Sequence, residues 1–271
     1  MNYHVDSSRK FVLILNLILS LLIIVVSCAG LITTGFYSAE KMNWQVQAEG
    51  QDWVDLVIVV PSLFITSFLS YRRNNAAESI WGGVILYCLY TFVIYCFDVH
   101  FNSLFIIYCL CLGLSFYLFL YFLLTHLTSP QEQHTNTTIM AKVIGTYFIF
   151  ISVLFYALWL SEILPSLINN TTPKSLTESG LPTNPVHVLD LAVVLPALFI
   201  TGLWLRSRKP QGLMLAPVFL TFFILMDITI GSLVLIMKLR GIDENLAVSL
   251  FMGLFALFSL TLLIGYFKPK L

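Results

Sequence analysis

Asp227 stands near the middle of an apolar run from Leu213 to Met237. An acid at the centre of a membrane helix costs on the order of 3 kcal/mol on insertion scales. Two roles justify such a residue: a proton- or cation-coupled site, or a polar anchor that fastens its helix to a neighbour. His187 and Asp190 lie three apart, on one face of a helix, where a carboxylate can orient an imidazole or share a metal with it. Tyr87, Thr91, Tyr95 and Asp98 follow one another at helical spacing, and phenolic hydroxyls in hydrocarbon look for partners inside a bundle. Asp52, Asp55, Asp98, His100 and Asn102 fall on the same side of the expected membrane as His187. The candidate binding residues are therefore Asp227, Asp55, Asp190, His187, Tyr87, Tyr95 and Asn102. No His-Glu-x-x-His, paired Cys-x-x-Cys, Gly-rich phosphate loop or Gly-x-Ser-x-Gly occurs, so the sequence assigns no catalytic residue, metal or cofactor.

The elements that must carry these groups follow from composition. Of 271 residues, 58% are apolar and 10% charged, and the mean hydropathy is +0.89. Soluble domains carry about 25% charged residues, so this chain has too little polar surface for water and its solvent is the lipid bilayer. With zero net charge and only short basic clusters, nothing points to a nucleic-acid partner. Spans of about 20 apolar residues predict helices over Phe11 to Thr34, Trp53 to Tyr71, Ile80 to Phe97, Ser103 to Leu127, Ala141 to Ile163, Val188 to Leu205, Leu213 to Met237, and Leu246 to Phe267. Barrel strands would be half as long and alternate in polarity. The expected fold is an all-α integral membrane protein.

Basic residues divide unevenly between the two sides. Arg9, Lys10, Arg72, Arg73, Lys142, Arg206, Arg208, Lys209, Lys268 and Lys270 share one side, against Lys41, Lys174, Lys238 and Arg240 on the other. Retention of positive charge in the cytoplasm predicts cytoplasmic N- and C-termini. A rival reading of the first span takes Val25 to Cys28 as a lipoprotein cleavage site, but the apolar run continues through Leu31 and Ile32.

Asp55-Leu-Val-Ile-Val-Val-Pro-Ser-Leu-Phe-Ile-Thr66 aligns without gaps to Asp190-Leu-Ala-Val-Val-Leu-Pro-Ala-Leu-Phe-Ile-Thr201. Apolar bias matches leucines by chance, but hardly Asp, Pro and Thr together. Both copies run toward basic loops, so both point the same way. This predicts two parallel four-helix repeats, residues 1–140 and 141–271, with the second and sixth spans facing each other across a pseudo-twofold axis. Asp55 and Asp190 are expected at the N-terminal ends of their helices as caps, and Pro61 and Pro196 are expected to kink them.

Gly50-Gln51-Asp52, Tyr87, Tyr95, Phe101-Asn102-Ser-Leu-Phe, His187-Val-Leu-Asp190, Pro196 and Ala216-Pro217 resemble an uncharacterised family of bacterial polytopic membrane proteins, over most of the chain from Gly35 onward. The resemblance implies a bacterial inner-membrane setting and supplies no mechanism. The favoured function is a small-solute or ion carrier, or another ligand-binding membrane protein. A scaffold or assembly subunit, with homo-oligomers in view, is the alternative, and an enzyme acting at the outer face comes third.

Overall fold

Hydrocarbon offers no partner to a backbone amide, so a chain this apolar has to close its hydrogen bonds within each segment. The computed structural model describes residues 2–127, 138–242 and 245–268. Eight helices are long and apolar enough to cross a bilayer, and no strand occurs among the described residues. They are α1 (Asn2–Ile32), α2 (Met42–Tyr71), α3 (Asn75–Phe97), α4 (Phe105–Leu127), α5 (Thr138–Ile168), α6 (Pro185–Arg206), α7 (Pro210–Leu239) and α8 (Leu246–Phe267). The chain is a multi-pass membrane protein. Phe11, Phe64, Phe150, Leu257 and other large apolar side chains are exposed on the outer helices, where lipid is their solvent. Of the basic residues counted in the sequence, Lys270 lies outside the described ones.

Most helix ends fall within about five residues of expectation, but α1 begins at Asn2 rather than Phe11, and the start of α2 moves further still. α2 begins at Met42 rather than Trp53, because Met42–Val54 is helical despite its polar composition. Asp55 therefore sits inside a continuous helix, and the cap position belongs to Lys41. Asp190 likewise lies beyond the first turn of α6, whose cap is Asn184 accepting from the amides of Val186 and His187. The expected capping role of both aspartates is overturned by these earlier starts. α1 runs unbroken through Cys28 to Ile32.

Pro61 and Pro196 are each preceded by a five-residue π-turn, Asp55–Val59 and Asp190–Val194. Proline lacks the amide that would continue the ladder, and the wider i→i−5 turn is one way a helix absorbs it. In α6 the Leu191 carbonyl, five residues before Pro196, is supplied from outside by the Tyr156 hydroxyl at 2.9 Å.

α3 and α7 form the centre. In α3, 61% of the most apolar stretch is buried, against 22–33% for the outer helices. The two helices pack on each other; α2, α4 and the start of α6 pack on α3, and α6, α8 and the first half of α2 pack on α7. α1 packs on α2 and α4, and α5 on α6 and α8. α2 and α6 do not face one another over any extended contact; the third and seventh spans take the central place expected of the second and sixth. The reason is the polar half of α2, which leans on α7.

Close approach is set by small residues. At Gly83 a Cβ would stand 2.5 Å from the Val218 carbonyl oxygen on α7, and at the α5–α6 crossing the Gly145 and Gly202 backbones lie against each other. Gly83→Val is expected to lower the unfolding midpoint in detergent, corresponding to about 1–3 kcal/mol. Gly113→Val, where nothing lies within 4 Å, is the comparison and should stay within about 0.5 kcal/mol of wild type apart from helix propensity.

Candidate functional site

Where α2, α3, α5, α6, α7 and α8 converge, at the bundle end that carries the segments 33–41 and 169–184, they enclose a cavity of about 520 Å³. That volume falls in the range of roughly 300–1,000 Å³ typical of small-molecule sites. The polar half of α2 contributes Trp44, Gln47 and Gln51, α3 contributes Tyr90, Thr91 and Tyr95, with Asp98 at its C-cap, and α5 contributes Phe155, Trp159 and Glu162. α6 adds His187 and Asp190, and α7 adds Phe222, Phe223, Asp227 and Thr229. Between these groups the wall is aliphatic, including Ile94, Leu158 and Leu233.

Four of the seven residues singled out from the sequence meet here: Asp227, Asp190, His187 and Tyr95. Asp227 is 4% exposed, and its Oδ2 is buried without a hydrogen-bond partner. Asp190 is held on both oxygens, by the Tyr90 hydroxyl at 3.1 Å and the Trp159 indole N–H at 2.8 Å. The His187 ring lies 4.6 Å from that of Trp159, and its Nε2 is 4.0 Å from Glu162. Glu162 also accepts from the Ser175 amide at 2.9 Å. His187 and Asp190 thus share one face, as their spacing implied, but each takes its partner from α5 and not from the other.

Asp55 and Tyr87 sit one layer behind the cavity wall. The Gln51 amide donates to Asp55 at 2.9 Å and to the Tyr87 oxygen at 2.8 Å, and Tyr87 also bonds Thr229 at 2.7 Å. Gln51 is therefore the cavity-lining group that couples α2 to α3 and α7. Asn102 is not brought to the site. It shapes the turn into α4, accepting from the Leu104 amide and donating to the Tyr108 hydroxyl.

Asp52 is fully buried beside the cavity and accepts from the hydroxyls of Tyr37 at 2.7 Å and Tyr95 at 2.8 Å. Its carboxylate lies against Gly30 of α1, where any Cβ would collide with Oδ2. Burial, and then the Asp52 charge, push the Tyr37 phenol far above its usual range, so it remains a donor. Sequence reading missed Gln51, Trp159 and Glu162. Their partners lie on other helices, and only the polar spacing of Gln47, Gln51 and Asp52 hinted that Met42–Val54 had a facing surface. No group of three or more His, Cys, Asp or Glu side chains among the described residues is placed to hold a metal.

At the mouth, Glu40 is tied to His100 through the backbone amide at 2.7 Å and through Nδ1 at 2.8 Å. Asp98 is buried nearby, and burial first, then the charge of Glu40, raise its carboxyl from 3.8 to about 7. A raised acid binds a proton in the folded state that the unfolded chain has released, so its contribution is lost as pH rises. Thermal stability of wild type relative to Asp98→Asn is thus expected to fall between pH 4 and pH 7, followed by tryptophan fluorescence in detergent. A flat difference would remove Asp98 from this role. Tyr37→Phe should lower stability by about 1–2 kcal/mol, since it takes a donor from buried Asp52, and should speed proteolysis in segment 33–41.

Comparison of the chain with protein-family models, with curated proteins and with solved structures returned no match, so its functional reading rests on this geometry.

Proposed function

We propose that the chain is a small-solute carrier or ligand-binding membrane protein, and that the 520 Å³ cavity is its binding site. The observation that carries the reading is Asp227: a carboxyl in the middle of a spanning helix, on the cavity wall, with a buried oxygen that no protein group satisfies. An Asp kept only to fasten α7 would have its oxygens taken up by the neighbouring helix, as those of Asp190 are.

Two further features favour a carrier over a static binder. The ends of α2 and α6 that line the cavity are each joined to the rest of their helix through a π-turn and a proline. Such joints have interrupted ladders and bend more readily than a regular helix. The packing of α1 to α4 also finds counterparts in that of α5 to α8, which supports the reading of residues 1–140 and 141–271 as parallel repeats. In this reading the termini are cytoplasmic, the cavity opens on the opposite side, and the setting is a bacterial inner membrane, as the excess of Arg and Lys on one side and the family resemblance suggest.

Native mass spectrometry of gently solubilised protein tests the site. A small molecule should accompany wild type and be lost from Asp227→Asn at unchanged thermal stability. An empty wild type, or an Asp227→Asn variant that merely unfolds, would favour a scaffold or a structural acid instead. A green fluorescent protein fused to the C-terminus should fluoresce if that terminus is cytoplasmic.

A further inference from the structure

The cavity has an electrical sign. Asp98, Glu162, Glu178, Asp190 and Asp227 all reach its wall, and no Lys or Arg does. Among the basic residues at this end, Lys41 donates to the Thr177 carbonyl at 2.7 Å and Arg240 pairs with Glu49 at 2.6 Å, both away from the wall, while Lys174 faces Glu178 of the wall at 3.4 Å. Clustered acids alone are ordinary, and most of these are accounted for by Tyr90, Trp159, Ser175 or Lys174. Asp227 is not: it lines the cavity, and no group donates to its buried Oδ2.

Resting on the binding-site reading above, we propose that the ligand is an organic cation, a protonated amine or quaternary ammonium with an apolar body, whose charged nitrogen sits against Asp227. Three observations select this class. A wall of low dielectric that carries carboxyl groups and no Lys or Arg favours cations over anions. A bare Ca²⁺ needs six to eight oxygen ligands and Mg²⁺ a near-octahedral set, which one free carboxylate oxygen among aliphatic and aromatic groups does not supply. The remaining wall, with Trp44, Tyr90, Trp159, Phe222 and Phe223, offers ring faces to an ammonium and apolar surface to its body.

The test is a charge series on one skeleton, added to the full-length protein in detergent and read by thermal unfolding and tryptophan quenching. The probes are 2-phenylethylammonium and benzyltrimethylammonium, with 2-phenylethanol and phenylacetate as neutral and anionic counterparts, and NaCl or CaCl₂ alone. The cations are expected to bind at least about tenfold more tightly than the neutral or anionic probes. Asp227→Asn should erase that preference, and Glu162→Gln should weaken it by a few fold through the field alone. Because the ligand series reads the preference in wild type, a misfolded Asp227→Asn does not spoil the test. Equal or tighter binding of 2-phenylethanol or phenylacetate overturns the proposal and leaves the binding site standing. A response to NaCl or CaCl₂ alone overturns it in favour of an inorganic ion. No response to any probe overturns it too, and the native mass spectrum then decides whether the site reading falls with it.

Discussion

Inside a bilayer a polar side chain has no water to fall back on, so each one on a buried helix needs a partner on another helix, and α3 is built around that requirement. The Trp81 indole donates to Asn16 of α1, Tyr87 bonds Thr229 of α7 and accepts from Gln51 of α2, Tyr90 donates to Asp190 of α6, and Tyr95 donates to Asp52 of α2. Four helices are thereby positioned against one by groups whose alternative is an unsatisfied donor in hydrocarbon. The apolar contacts, by contrast, distinguish weakly between helix and lipid, since both are hydrocarbon. The polar aromatics of α3 therefore decide which helix lies where, and the cavity is the space left beside them.

Much of this was legible in the residues. Long apolar runs gave the spans because helix length is tied to bilayer thickness. The spacing of Tyr87, Tyr95 and Asp98 gave a face turned into the bundle, and the central position of Asp227 marked it as exceptional. What could not be read is how distant segments meet. Met42–Val54 carries Asn43, Gln45, Gln47, Glu49, Gln51 and Asp52, and a hydropathy argument discards such a stretch as loop. It is helical because α7 covers one side of it and α1 another. With the start of α2 misplaced, Asp55 looked like a cap, and the second span looked central when the third is.

The partners of His187 and Asp190 illustrate the same limit. Their spacing on one helix face is a local fact that sequence states directly. Trp159 and Glu162, which hold them, come from α5 and are also three apart, so two short periodic patterns interlock. Neither pattern names the other, and only packing brings them together.

The π-turns have a geometric consequence of their own. Each inserts one residue more than an α-helical path needs, and one residue is about 100° of rotation. In α2 this offset lies between Gln51 and Asp52, which look toward α3, and Leu63 and Thr66, which are buried farther along the helix. In an unbroken α-helix, at about 100° per residue, Asp52, Leu63 and Thr66 would fall within roughly 60° of one another, and the surplus residue turns the two ends to different faces. The same offset in α6 separates His187 from Leu198 and Thr201. The surplus residue thus works as a splice between two faces. It lets a single helix serve a polar compartment with one end and a dry interior with the other.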